Sequence, residues 1–369
     1  MKVDVITRHA IGNYGSILQA YATQKVFEKL GYECDIIDYQ RNEEKGKEIC
    51  NNLLKKSNKW NKNILTRQAY RILQFPNFII QYNNFKKYRA EILKQTREYN
   101  TIDDLRENLP DADIFCTGSD QVWGEIGNVA YDEAYFLKFV PSDKKCIAYS
   151  ASFGKKNNDE EMLSKLPELL KNYSKIMVRE DSAVEIIKSK NIDNVEQVID
   201  PVMLLEKSEW ESFAKKDVVK KGEYILVYQL HDNKEFERYA KQFSKKKKMK
   251  LIRISPSLSN VLKCGKTVLM PTPQQFLSYF MNAKYVLTDS FHGTVFSMIF
   301  NKNFVDILPK RGVTRMESVL RKFNLEHRLV RDNNDFSVAD KPINYEMVND
   351  ILSGERENSL NKLKNAIEN

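Results

Sequence analysis

Residues Thr288-Asp289-Ser290-Phe291-His292-Gly293-Thr294 set a carboxylate, hydroxyls and an imidazole within one short run. The run follows an apolar stretch, Tyr285-Val286-Leu287, that predicts a buried strand, and it leads into an apolar segment through Phe300 that predicts a helix. Asp289, Ser290, His292 and Thr294 therefore belong at a strand-to-helix junction. Free amide groups at such a junction, those of Ser290, Gly293 and Thr294 among them, favour a bound anion, and the helix dipole adds to the effect. A histidine and two hydroxyls placed there can hold a phosphate and move a proton. The plain alternative is an N-capped helix with a structural histidine.

Other segments place reactive side chains just past predicted strands. In Gly12-Asn13-Tyr14-Gly15-Ser16 the spacing departs from G-x-G-x-x-G, which disfavours a dinucleotide. Asn13, Tyr14, Gly15 and, one turn on, Gln19 would instead cradle a ligand, or simply form a tight turn. Thr117-Gly118-Ser119-Asp120-Gln121-Val122-Trp123 offers hydroxyl, carboxylate, amide and indole groups. Ser119, Asp120, Gln121 and Trp123 suit a sugar, whose hydroxyls need hydrogen bonds and whose C–H faces stack on an aromatic ring. The other reading is an Asp-capped helix with a packed Trp. Ser152 ends a further strand. Arg179, at the end of another, suits bidentate capture of phosphate or carboxylate, and Lys310 follows the strand after the His292 helix. These cations, the helix start and the histidine describe a site for a small phosphorylated acid. No metal-ligand motif, Walker A loop or Gly-x-Ser-x-Gly elbow is present in the sequence, so neither a metal nor another cofactor is expected.

The elements that must position these groups alternate strand and helix. Lys2–Thr7, Glu33–Asp38, Asp113–Thr117, Lys145–Ser150, Lys175–Val178 and Gln197–Ile199 predict one strand series. Tyr224–Tyr228, Lys250–Ile254, 285–288 and 304–307 predict a second. The expectation is an α/β protein with two Rossmann-like domains facing a cleft. The first domain, 1–205, carries a helical insertion over about 41–110, and the second is 206–369.

The chain has 369 residues, 42% of them hydrophobic, enough for two cores. Its 59 Lys and Arg outnumber 50 Asp and Glu, giving a net charge of +9 that suits an anionic small molecule, a nucleic acid or an anionic membrane. Five scattered cysteines without a CxxC pair predict reduced thiols. The N-terminal residues lack a signal-peptide apolar core, and no run is long enough to span a bilayer, so a cytoplasmic location is expected. Cations in the 41–110 segment would either solvate the insertion or dock it peripherally on the inner membrane face.

GNYGSILQAYATQKVFEKLGYECDIIDY, TGSDQVW, IAYSASFG, VREDSA, IDPVMLL and TDSFHGTVFSMIFNKNFV, in this order, resemble the polysaccharide pyruvyl transferase family. The blocks reach from the N-terminal region to about residue 330, leaving out the 41–110 insertion. The resemblance implies a GT-B-like fold and phosphoenolpyruvate as donor substrate, with the first domain taking the acceptor and the second the donor. It also implies transfer of pyruvate to a sugar as a cyclic ketal in cell-surface polysaccharide synthesis. A 4,6-ketal on a hexose such as galactose, on a lipid-linked saccharide, is the expected product. By the same resemblance, Arg179, His292 and Lys310 handle the donor. His292 would donate the proton or hold the leaving phosphate, and Asp120 or Asp289 would deprotonate the acceptor. Two other readings compete: a nucleotide-sugar glycosyltransferase on the same architecture, and a non-catalytic nucleic-acid-binding module. The basic residues are interspersed with acids and match no nucleic-acid motif, so no nucleic-acid partner is expected.

Overall fold

Short apolar runs form the parallel strands here, and helices cover them on both faces. The computed structural model describes residues 1–127, 129–155, 158–308 and 314–369. The N-terminal elements are β1 (Lys2–Ile6), α1 (Tyr14–Lys29), β2 (Glu33–Tyr39), α2 (Gly46–Lys56), α3 (Ile64–Ile92), β3 (Gln95–Tyr99) and α4 (Ile102–Glu107). They continue with β4 (Ile114–Thr117), β5 (Lys145–Ala151), α5 (Glu160–Leu170), β6 (Tyr173–Val178), α6 (Asp181–Lys188) and β7 (Val195–Gln197). Their strands make one parallel sheet in the order β3-β2-β1-β4-β5-β6-β7.

Two short helices, α7 (Pro201–Leu204) and α8 (Lys207–Phe213), lead to the second unit. It contains β8 (Tyr224–Tyr228), α9 (Lys234–Lys247), β9 (Lys250–Ser255), β10 (Lys266–Leu269), α10 (Pro273–Asn282) and β11 (Tyr285–Thr288). After these come α11 (Phe291–Ile299), β12 (Asn303–Asp306), α12 (Thr314–Lys322) and α13 (Tyr345–Glu368). The second sheet is also parallel, ordered β10-β9-β8-β11-β12. Two parallel sheets with helices make the α/β architecture expected from the strand rhythm.

Two features depart from the sequence reading. The 41–110 segment is not wholly helical, because Gln95–Tyr99 forms the edge strand of the first sheet. Its sequence, QTREY, lacks an apolar run, since an edge strand with exposed residues needs none. In addition, α13 lies in the 206–369 half of the chain yet packs against α7 and β5 of the first unit. Ser359 Oγ accepts from the Ile199 amide at 3.2 Å, and Lys145 Nζ donates to the Ile367 carbonyl at 2.9 Å.

Each sheet reverses its strand order once, and ligands of such sheets bind beyond the carboxyl ends at that reversal. In the first sheet the reversal lies between β1 and β4, which places 7–13 and 118–121 there. In the second it lies between β8 and β11, which places 229–233 and 289–292 there. The two units meet along an aromatic seam beside these loops. Tyr14 stacks on Phe276 with centroids 4.6 Å apart, and the Tyr14 and Tyr88 hydroxyls donate to the Pro271 and Met270 carbonyls, each at 2.6 Å.

Candidate active site

Close packing seats the α11 N-terminus on β11. A Cβ on Gly293 would lie 2.2 Å from Thr288 Oγ1, so only glycine lets the helix approach so closely. Ser290 is the N-cap, its hydroxyl accepting from the Gly293 amide at 3.4 Å. Thr294 Oγ1 donates to Asp306 at 2.8 Å. Two residues inward from the cap is His292, whose ring lies over Gly15 of α1. A Cβ at Gly15 would sit 2.1 Å from His292 Nδ1. Two helix starts from different units therefore bracket one imidazole.

Beneath that ring is a buried polar network. Arg179 Nη1 donates to Asp200 Oδ2 at 2.8 Å and to Ser119 Oγ at 3.3 Å. The Arg179 guanidinium lies over the Phe291 ring, 4.4 Å from its centroid. His292 Nε2 is 3.8 Å from the same Asp200 oxygen. Asp120 accepts from Ser16 Oγ at 2.5 Å and from the Gln121 amide at 2.8 Å. Its backbone φ of 83° is in the left-handed region, which is rare outside glycine and aims the carboxylate into the network.

Charges tune these groups. Burial alone would raise the Asp120 carboxyl, but Arg179, His292 and the Ser16 hydroxyl outweigh it and hold it at about 2. Burial pushes His292 below its ordinary value, against the pull of Asp200 and Asp120. Arg315, on α12, is lowered to about 10 by burial and by Arg179. Several buried donors in this cluster have no hydrogen-bond partner among the described residues: Arg179 Nε and Nη2, His292 Nε2 and Arg315 Nε. Unpaired buried donors are costly, so such a concentration marks a place shaped for something that accepts hydrogen bonds.

Beside this network opens a cavity of about 270 Å³, lined by Gln121, Gly154, Lys155, His231, Ser290 and Arg315 among others. With its amide turned to satisfy both groups, Gln121 accepts from Arg315 Nη1 at 3.0 Å and also from Nη2. A larger groove of about 730 Å³ adjoins it at Leu230 and His231. Gln74, Asn77, Phe78 and Gln81 of α3 line one side of that groove, and Gln229, Ser257, Asn260 and Lys263 line the other.

The predicted residues divide into two sets. Arg179, His292, Asp120, Ser119, Ser290, Gly15 and Gln121 converge on the network or its cavity, Gly293 seats the helix on β11, and Asn13 caps α1 and lines the larger groove instead. Asp289 also lines the cavity, but both its oxygens are occupied: it accepts from the Leu230 and His231 amides at 2.7 and 3.0 Å. It holds the loop after β8 in place, as Ser16 and the Gln121 amide hold Asp120.

Trp123, read as a sugar platform, is core. It is fully buried, stacks on Phe136 and donates its indole N–H to the Tyr135 carbonyl at 3.0 Å. Tyr14 is likewise buried in the seam rather than cradling a ligand, and Gln19 is buried with its Nε2 donating to Thr7 Oγ1 and the Ser16 carbonyl. Ser152 donates to Glu180 at 2.7 Å, and the Thr294 hydroxyl is committed to Asp306. These residues hold the walls. Lys310 lies outside the described residues.

Sequence reasoning missed Asp200 and Arg315 as site residues, and reached Ser16 only as the end of the Gly12–Ser16 loop. Asp200 precedes Pro201 in the IDPVMLL block and caps α7, with Oδ1 accepting from Val202 at 3.1 Å, a pattern legible as a helix start and nothing more. Arg315 gave no signal, since it reaches the site only through the folding of the second unit.

A family model for polysaccharide pyruvyl transferase matches residues 13–308, a span that begins at the α1 cap and ends beyond β12. The chain belongs to the polysaccharide pyruvyl transferase family. A comparison with curated proteins gave no match. Among solved structures, this pyruvyl transferase family member resembles the UDP-GlcNAc 2-epimerase of Neisseria meningitidis bound to UDP-GlcNAc, at 12% identity and a TM-score of 0.53, with 100% of both chains covered. It also resembles the UDP-GlcNAc 2-epimerase of Methanocaldococcus jannaschii in complex with UDP-GlcNAc and UDP, at 13% identity and a TM-score of 0.50, covering 96% of this chain and 94% of that one. At such identities the likeness is one of fold alone, a GT-B-like pair of parallel sheets with helices.

Proposed function

We propose that the protein transfers pyruvate from phosphoenolpyruvate to two hydroxyls of one sugar residue, forming a cyclic ketal and releasing phosphate. The observation that carries this reading is the set of unpartnered, buried N–H donors of Arg179, His292 and Arg315 at a helix start. Phosphoenolpyruvate brings a carboxylate and a phosphate, both acceptors of charge-assisted hydrogen bonds from fixed cations. Lys155 and the Phe291 and His292 amides would extend the same cradle, whereas the Ser290, Gly293 and Thr294 amides expected there are bonded to Thr288 Oγ1, Ser290 Oγ and the Ser290 carbonyl. No resident cofactor is invoked.

In this reading the first acceptor hydroxyl attacks C2 of the enol phosphate while a proton is added at C3. Positive charge develops at C2, and the Asp120 carboxylate, ionised throughout the working pH range, stabilises it and accepts the hydroxyl proton. His292 either delivers the C3 proton or protonates the departing phosphate. The second hydroxyl then replaces phosphate at C2 and closes the ketal. One hydroxyl proton ends on C3 and the other on phosphate, so the step balances without an oxidant or water.

The acceptor saccharide is assigned to the large groove, where amides, hydroxyls and Phe78 offer what a sugar needs. This replaces the Trp123 placement. A hexose whose 4- and 6-hydroxyls approach C2, carried on a lipid-linked saccharide at the inner membrane face, fits the proposal.

Phosphate release from phosphoenolpyruvate, with mass gain of a pyruvyl group on the acceptor, tests it. Arg315→Gln is the donor-site variant of choice. Arg179→Ala would leave Asp200 buried and unpaired, a loss of about 3–5 kcal/mol in stability that would confuse the result. Losing one charge-assisted bond should weaken donor binding roughly tenfold to a hundredfold. Turnover of a nucleotide sugar with no turnover of phosphoenolpyruvate would overturn the assignment.

A further inference from the structure

Helix α3 buries one face, through Tyr70, Asn77, Phe85 and Tyr88, and lines the saccharide groove with Gln74 and Gln81. Its opposite face should then be polar. It is not. Leu65, Ile72, Leu73 and Ile80 stand 81%, 74%, 63% and 43% exposed. Their spacing stacks them along one side of the helix.

The charge around this stripe is one-sided. Residues 45–91 hold eleven Lys and Arg against two acids, and none of the acids lies between Glu48 and Glu91. The whole chain holds 59 against 50, so the remainder is balanced at 48 of each and this segment accounts for the entire excess of +9. Lys55, Lys56, Lys59, Lys62, Arg67 and Arg71, beside or along the first half of α3, are exposed.

We propose that the outer face of α3 and the lysines leading into it form a docking surface for an anionic lipid bilayer. The apolar side chains would enter the boundary between headgroups and acyl chains, with the cations among the headgroups. Charge decides between occupants. A second copy would set two acid-free cationic surfaces against each other, whereas an anionic lipid layer complements them. Among the described residues no helix is long and apolar enough to cross a membrane, so contact at this face would be interfacial. Docking does not depend on the transfer chemistry. Only its use does, because the groove on the inner side of α3 would then open beside the surface from which a lipid-linked saccharide projects.

Vesicle flotation of the full chain tests this, using phosphatidylglycerol-containing and pure phosphatidylcholine vesicles without substrate. Wild type should float with the anionic vesicles and remain behind with the neutral ones. Lys55→Gln/Lys56→Gln/Lys59→Gln should lower partitioning roughly a hundredfold, at about fivefold for each cation. Leu65→Ser/Ile72→Ser/Leu73→Ser should abolish the part of binding that survives high salt. All six positions are exposed, and unchanged thermal melting would confirm folding. Failure of wild type to bind anionic vesicles, or binding by both variants equal to that of wild type, would overturn the proposal. So would a dimer in light scattering that only the serine variant dissolves, since a second copy would then be the occupant. Failure of the donor assignment would leave vesicle binding intact, which keeps the two readings separable.

Discussion

His292 can lie against α1 only because residue 15 has no side chain, and this contact makes the imidazole's position testable. If the protonated ring acts in the reaction, burial restricts that form to pH below its ordinary range. The sign follows: kcat/KM should be highest at low pH and fall as pH rises through a value below 6.5. That limb should vanish in His292→Asn; a limb unchanged there belongs to the substrate's own phosphate. Gly15→Ala should keep the fold but push the ring aside by the order of an ångström, lowering kcat roughly a hundredfold. Wild-type activity in Gly15→Ala would remove His292 from the chemistry. At this scale the sequence was legible where several reactive residues crowd one junction, as around Ser290 and His292. It misled at Trp123, because an indole N–H is satisfied as well by a buried carbonyl as by a sugar hydroxyl. Asp200 and Arg315 were illegible, since their meaning is a contact with Arg179 or Gln121 from far along the chain.

Elements were read well wherever burial on both faces wrote an apolar run, as in β1, β4, β8 and β11. The edge strand β3 escaped because partial exposure permits Thr, Arg and Glu, which carry no strand signal. Helix α13 escaped for a different reason. Its buried residues fall in two groups, Val348 with Leu352 and Leu363 with Ile367, parted by the polar stretch 353–358, and nothing in them states which unit they join. Because α13 packs on α7 and β5, it straps the end of the chain back onto the first sheet. Leu363 is 1% exposed there, so Leu363→Ala should cost about 2–5 kcal/mol in urea or thermal unfolding. A change within the ±0.5 kcal/mol typical of surface substitutions would mean that the helix rests on the sheet without holding it.

Across the whole molecule, the site exists only because two strand reversals face each other. No single unit contains Arg179 and His292 together. The pairing of units was legible as two strand series, but their closeness was not, since it depends on the seam. There the Tyr14 and Tyr88 hydroxyls reach carbonyls of the second unit, and the Tyr14 ring stacks on Phe276. With substrate entering between the units, as proposed, the strength of this seam would set how often the cleft opens. Tyr14→Phe/Tyr88→Phe keeps the rings and deletes both bonds. Each loss is worth about 0.5–1.5 kcal/mol, or more where the carbonyl is left dry, so the closed-to-open ratio should fall by roughly fivefold to a hundredfold. Small-angle scattering without substrate should then show a larger radius of gyration, and a saturating donor should restore the compact form by binding both units at once. An unchanged radius would mean that ring stacking alone closes the cleft. A radius that grows but stays large with donor would mean that the donor rests on one unit, contrary to a site shared by Arg179 and His292.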